Sequence, residues 1–196
     1  MIPGLDQRPV IVAIAGPNGA GKSTFFAAHL QAGGLRLVNA DVLAAGLSVD
    51  PYHAAKLGQA LREKLLVQKE SFAFETVFSD PAGEKVDFLR KAAAAGYNVI
   101  LCFIGIDGPT TSEQRVAMRV TQGGHDVPIE KLQARFPRTL DNLMRAVKTL
   151  PHVFVFDNED LANPYRQIAI FHNGQTDYLA KSLPRWMQEI LRQLKD

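Results

Sequence analysis

With a single cysteine in 196 residues, the chain has no disulfide to form and no cysteine set with which to hold zinc. That residue, Cys102, lies in the apolar run from Val99 to Ile104, where a thiol reads as a small core side chain rather than a nucleophile. An excess of charge of one sign is also missing. Lys and Arg number 22 against 20 Asp and Glu, a net charge of +2, so no global field directs the chain to nucleic acid or to a membrane surface. The longest apolar runs are strand-sized, too short to cross a bilayer. Residues 1–9 place Asp6 and Arg8 among Pro3, Gly4 and Pro9, which is wrong for the hydrophobic centre of a signal peptide. These absences lead to the expectation of a cytoplasmic protein with neither a membrane nor a nucleic acid as partner.

What is present is concentrated near the start. Gly16, Pro17, Asn18, Gly19, Ala20, Gly21, Lys22, Ser23 and Thr24 fit the pattern G-x-x-x-x-G-K-[ST], the phosphate-binding P-loop. The apolar run Val10 to Ala15 precedes it as a candidate buried strand, and Ser23 to Gln31 follows as a helix with Phe26 and Leu30 on one face. The chemistry requires that order. Glycines let the backbone curl until successive N–H groups converge on phosphate oxygens, and the helix N-terminus adds its positive end. In such loops the lysine reaches the β- and γ-phosphates and the following hydroxyl is a ligand of Mg²⁺. Lys22 and Ser23 stand in those places, so the motif predicts binding of ATP or a related nucleoside triphosphate with Mg²⁺.

Strands and helices alternate after the loop. Leu35 to Asn39, Phe72 to Phe78, Tyr97 to Ile106 and His152 to Phe156 read as strands, with Tyr165 to Phe171 as a late strand before an Asn173-Gly174 turn. Asp50-Pro51 opens a helix that runs to about residue 69, and Ser79-Asp80-Pro81 repeats the signal for a helix ending at Gly96. Thr110 to Val120 and a longer helix from Pro128 follow, the latter expected to be kinked or interrupted by Pro137. Ser182-Leu183-Pro184 opens a closing helix. The expectation is one α/β domain over residues 1–196, a three-layer P-loop NTPase fold with a mostly parallel five-stranded sheet.

A P-loop by itself does not choose between hydrolase, switch and kinase, so the polar residues at strand ends must decide. Asp41 follows the second strand and suits either a catalytic base or the cap of a helix beginning at Val42. Glu75, with Thr76, interrupts an otherwise apolar strand among three phenylalanines. A carboxylate there points to a wet cleft or a cation rather than to a structural ion pair. Asp107 and Asp157 read as turn or cap residues. Arg115 and Arg119 are four apart on one helical face, Gly123-Gly124 supplies a hinge, and Arg135 and Arg138 lie on the next helix. Residues 110–137 therefore make a candidate lid that folds over transferring phosphates, a solvated basic face being the alternative. His125 suits either a substrate contact or a turn cap.

Taken together, Ala15 to Thr24, Asn39-Ala40-Asp41, Phe74 to Ser79, Arg119 to Pro128, Arg135-Phe136 and Asn142-Leu143 resemble the zeta-toxin-like P-loop kinases, particularly their compact bacterial members. The resemblance implies an adenylate-kinase-like sheet with a helical lid and ATP/Mg²⁺-dependent phosphoryl transfer to a hydroxyl. Characterised zeta toxins act on UDP-N-acetylglucosamine and are held inactive by an antitoxin, so that acceptor and such a partner are implied as well. Carried over by residue, Lys22 and Ser23 serve ATP and Mg²⁺, and Asp41 matches the aspartate that activates the acceptor hydroxyl. Glu75 matches the acidic residue lining the substrate cleft, and Arg115 or Arg119 matches the first phosphate-stabilising arginine. Established members carry a second arginine shortly before the lid proline. His125 stands there in this chain, with Arg135 as the candidate substitute.

Overall fold

Six consecutive apolar residues form the first strand, β1 (Val10–Ala15), and all six are buried, as a strand covered on both faces requires. In the computed structural model, which describes residues 2–47, 49–123 and 126–195, β1 is the axis of the sheet. It pairs in parallel with β3 (Phe72–Thr76) on one side and β4 (Asn98–Gly105) on the other. Beyond β3 lies β2 (Arg36–Val38), and beyond β4 lies β5 (His152–Asp157), both parallel. Two antiparallel strands, β6 (Arg166–His172) and β7 (Gln175–Leu179), complete the order β2-β3-β1-β4-β5-β6-β7. The hairpin between them turns at Asn173 and Gly174, with φ of 50° and 79°, the left-handed pair that a two-residue turn demands. The sheet thus has seven strands rather than five. β7 escapes sequence reading because all five of its residues are exposed, which leaves no apolar alternation to detect.

Alternation along the central strands sends side chains into two helical layers. Phe25 and Phe26 of α1 (Lys22–His29) pack with Val10, Val12, Ile14, Ile100, Cys102 and Ile104. Burial pushes the Cys102 thiol pKa up, in keeping with a core side chain. The opposite layer comprises α3 (Pro51–Val67), α4 (Glu84–Ala94), α6 (Ile129–Thr149) and α7 (Arg185–Lys195). Their residues Leu65, Leu89, Leu143 and Met187 meet Ile11, Ala13, Phe74, Leu101 and Phe103. α2 (Ala40–Leu47) and α5 (Pro109–Thr121) lie at the carboxyl ends of β2 and β4. Among the described residues no helix is long and apolar enough to cross a membrane.

Two local expectations give way to tertiary contacts. Ser79-Asp80-Pro81 does not open α4. Phe78 adopts φ 62°, the buried Asn142 donates Nδ2 to the carbonyls of Phe78 and Asp80 at 2.9 Å each, and the helix starts only at Glu84 after Gly83. Pro137 does not interrupt α6, which runs unbroken from Ile129 to Thr149. Pro137 is exposed, and Leu132, Phe136, Leu143 and Val147 bury the other face. That burial outweighs the one hydrogen bond a proline removes.

α7 approaches β4 through Trp186, whose ring lies where Gly105 has no side chain. A Cβ there would come within 2.1 Å of Cζ2. Gly105→Ala is therefore expected to destabilise the fold by about 1–3 kcal/mol through overpacking. Urea unfolding followed by Trp186 fluorescence measures the loss.

Candidate active site

All five parallel strands end on one edge of the sheet, where the loop after β1 and the end of β3, with Glu75 and Thr76, lie. The loop after β1 passes close over β4. Gly16 has φ 148°, and a Cβ on it would lie 2.1 Å from the carbonyl oxygen of Ile104. Gly19 (φ 75°) and Gly21 (φ 87°) adopt left-handed conformations against Arg115 and against Asn158 and Tyr165 respectively. Lys22 begins α1, so the loop delivers its backbone N–H groups and the helix N-terminus to one concavity. Its Nζ donates to the carbonyls of Gly16 (3.0 Å) and Pro17 (2.8 Å).

Ser23 Oγ donates to Glu75 Oε2 at 2.9 Å, while Glu75 Oε1 is buried with no partner among the described residues. A carboxylate oxygen shut away without a donor is costly. A divalent cation or its water shell beside Ser23 would satisfy it. Among the described residues no group of three His, Cys, Asp or Glu side chains could hold a metal. One hydroxyl, one carboxylate and phosphate oxygens form the kind of donor set that suits Mg²⁺, which keeps much of its water. The residues fit the ion that the motif implies, Ser23 and Glu75 being the side chains that would hold it.

Three side chains that sequence reading did not assign to the site brace the loop from outside. Ser112 of α5 donates to Asn18 O at 2.7 Å, Asn158 after β5 to Ala20 O at 2.9 Å, and Tyr165 before β6 to Gly21 O at 3.0 Å. Tyr165 N–H in turn donates to Asn158 Oδ1 at 3.2 Å. Because a trans peptide points its C=O and N–H oppositely, carbonyls bonded from outside leave the next N–H groups aimed inward. Burial raises the Tyr165 phenol pKa above its usual value, against opposing contributions from Thr24, Arg115 and Asn158. Its ring meets Phe25 at 5.3 Å and His29 at 5.6 Å. A serine inside a helix and an amide and a phenol in a loop carry no local signature of this task.

Asp41 is the second residue of α2. The residue that caps that helix is Asn39, whose Oδ1 accepts from Val42 N at 3.4 Å and whose carbonyl accepts from Leu43 N at 3.1 Å. Thr76 Oγ1 accepts from Phe78 N at 2.9 Å, holding the turn after β3. Asp157 is neither turn nor cap; it pairs with Arg166 at 3.1 Å. Asp107 takes its backbone N–H to Glu159 Oε2 at 3.0 Å, and Gly108 precedes α5.

The arginines of the candidate lid differ in setting. Arg115 is half-buried beside the loop and donates Nη2 to Glu159 O at 2.9 Å, whereas Arg119, one turn on, is exposed. Arg135 on α6 is half-buried, and Gln133 donates to Glu113 at 3.0 Å, which ties α6 to α5. Of the proposed hinge, Gly123 has φ 85°; Gly124 and His125 lie outside the described residues, and the readings on them stay there.

A braced P-loop on this strand order defines the class as the P-loop kinase fold. The zeta-toxin family model matches residues 35–169, more than half of the chain, and the chain belongs to that family. A search among curated protein sequences found no match. Among solved structures, a chain of the AvrRxo1-ORF1:AvrRxo1-ORF2 complex with sulphate ions aligns with a TM-score of 0.71 at 18% identity over 96% of this chain and 64% of that one. This chain therefore spans less than two thirds of that relative. The same complex with ATP gives 0.70 at 18% identity over 96% and 64%. The PezAT chromosomal toxin–antitoxin system of Streptococcus pneumoniae gives 0.59 at 15% identity over 96% and 79%. A gluconokinase from Sinorhizobium meliloti gives 0.51 at 20% identity over 79% and 86%.

Tyr165→Phe removes one brace while keeping the ring. It is expected to cost roughly 0.5–1.5 kcal/mol in ATP affinity, the size of one net hydrogen bond. Calorimetry with Mg·ATP on the folded variant checks it.

Proposed function

We propose that the chain transfers the γ-phosphoryl group of ATP to a hydroxyl of a small molecule. The observation that carries this reading is the Ser23–Glu75 hydrogen bond, with its second, unpartnered oxygen, at the mouth of a braced P-loop. Loop N–H groups hold the phosphates, and Lys22 exchanges its bonds to the Gly16 and Pro17 carbonyls for the β- and γ-phosphate oxygens. Ser23 and Glu75 hold Mg²⁺, which when bound neutralises charge on the β- and γ-phosphates. Thr24 follows at the helix N-terminus. Asp41 takes the proton of the acceptor hydroxyl, and Thr76 and His125 belong to the acceptor's surroundings. Arg115, Arg119 and Arg135 balance the charge that develops as the phosphoryl group moves.

Family membership supports a kinase-type enzyme, and the ATP complex of a structural relative supports the choice of nucleotide. A sugar nucleotide of the UDP-N-acetylglucosamine type heads the acceptors to test. The toxin–antitoxin setting of PezAT supports testing for an antitoxin partner. The working location is the cytoplasm, where ATP and Mg²⁺ are supplied.

Lys22→Ala is expected to abolish tight ATP binding in a folded protein. Asp41→Asn is expected to keep ATP binding and slow transfer by about 10²–10⁴. A screen of nucleotides and UDP-sugars by thermal shift, followed by phosphate-transfer assay of the hits, reads both; wild-type turnover in Asp41→Asn contradicts its role as base. Arg119→Ala and Arg135→Ala are expected to raise the activation free energy by about 2–4 kcal/mol while changing ATP affinity little. Steady-state kinetics separates the two effects, and parental turnover in both variants would remove the lid assignment.

A further inference from the structure

The buried face of α6 is apolar except at two places. Thr139 and Asn142 are fully buried there beside Phe136, Leu143 and Ala146, and the proposed chemistry uses neither. A buried hydroxyl or amide is costly unless it is hydrogen-bonded. Both are bonded, and to one segment. Thr139 Oγ1 donates to Val77 O at 2.8 Å, and Asn142 Nδ2 donates to Phe78 O and Asp80 O at 2.9 Å each. Arg145, three residues further along, adds a longer contact from Nη1 to Pro81 O at 3.5 Å. The carbonyls of residues 77, 78, 80 and 81 are thus all held from a single helix. The Thr139 hydroxyl also lies 3.0 Å from the carbonyl oxygen of Arg135, and its one hydrogen is shared between that oxygen and Val77 O.

The segment they hold begins two residues after Glu75. β3 pairs with β1 as far as Ile14 with Glu75 and Ala15 with Thr76, and among the described residues no strand pairs with the chain past Thr76. Phe78 then takes φ 62° with its ring buried. A bulky residue in the left-handed region is strained and persists only where its surroundings enforce it. Thr76, whose Oγ1 accepts from Phe78 N at 2.9 Å, and the two α6 side chains enforce it here. The course of the chain as it leaves β3 is therefore imposed by α6, and the same helix carries Arg135 one turn before Thr139. We infer that Thr139 and Asn142 are positioning residues: by holding the turn after β3 they set the Glu75 carboxylate against Ser23, and they keep it in fixed relation to Arg135. This rests on the reading of Ser23 and Glu75 as a cation site, and it makes α6 the element that joins the proposed cation ligand to the proposed phosphate-stabilising arginine.

The test uses the whole chain with Thr139→Val, which keeps the shape and removes the hydroxyl, and with Thr139→Ser, which retains the hydroxyl. Calorimetry with ATP, in Mg²⁺ and in chelator, is run well below the melting temperature of each protein. Thr139→Val is expected to weaken Mg·ATP binding roughly 3–10-fold, the effect of one net hydrogen bond, with the metal-free affinity unchanged. Thr139→Ser is expected to bind like the parent. Asn142→Leu is expected to act in the same direction; if it fails to fold, the two Thr139 variants decide. In a Glu75→Gln background Thr139→Val should cause no further loss, since both changes act on one carboxylate. A lower melting temperature with parental Mg²⁺ dependence means that the two residues only hold the fold, and overturns the inference. So does a loss of equal size with and without Mg²⁺, or a full additional loss in the Glu75→Gln background. The Glu75 carboxyl ¹³C resonance, assigned from Glu75→Gln, reads the carboxylate's setting without nucleotide. It is expected to shift in Thr139→Val and to return in Thr139→Ser, and a resonance unmoved in Thr139→Val overturns the inference by itself. If wild-type ATP binding ignores Mg²⁺, the cation-site reading fails, and this resonance alone decides whether Thr139 positions Glu75.

Discussion

The site depends on one close approach between two pieces of backbone. The loop leaving β1 passes so near β4 that a Cβ at Gly16 would sit 2.1 Å from the Ile104 carbonyl oxygen, a separation no side chain tolerates. Glycine there lets the loop fold over the sheet edge rather than away from it. Once it lies there, Ser112 of α5 and Asn158 and Tyr165 of the β5–β6 loop reach three of its carbonyls. The phosphate cradle is thus a property of the sheet's centre and not of nine residues alone. α5 takes part through Ser112 and Arg115, so the helix that bears the first lid arginines is anchored at one end to the loop and to Glu159.

Strand order then divides the labour. β4, β5 and the start of β6 stand on one side of β1, and the segments that follow them supply the braces and the root of the proposed lid. β3, β2 and α2 stand on the other and carry Glu75 and the proposed base, Asp41. Phosphoryl transfer between two bound molecules needs two such sides with the phosphates between them. The antiparallel β6–β7 hairpin extends the sheet beyond the nucleotide side, and its first strand begins one residue after Tyr165.

The nucleotide half was legible because its chemistry is local. A glycine-rich turn between a buried strand and a helix must be contiguous in sequence, and Gly16 to Thr24 are. Glu75 was legible as a charge in an apolar strand, but its partner, Ser23, is 52 residues away, and no spacing rule links them. Ser112, Asn158 and Tyr165 carry ordinary polar side chains whose role exists only after the sheet has assembled. The same long reach explains the structural departures. Ser79-Asp80-Pro81 looks like a helix start until Asn142, more than 60 residues later, holds the turn open. Pro137 looks like a break until the apolar stripe of α6 is packed on the core. β7, wholly exposed, had no pattern to show.

The central claim is that Ser23 and Glu75 form a cation site that makes ATP binding depend on Mg²⁺. Glu75→Gln keeps an oxygen for the Ser23 hydroxyl and removes the charge, so it isolates that claim from the fold. Calorimetric titration of ATP into the wild type and the variant, with Mg²⁺ and with chelator, measures it directly. The account predicts that Mg²⁺ strengthens ATP binding in the wild type and that most of this gain disappears in Glu75→Gln, with little change in the metal-free affinity. An equal Mg²⁺ effect in both proteins, or wild-type ATP binding indifferent to chelator, would contradict it.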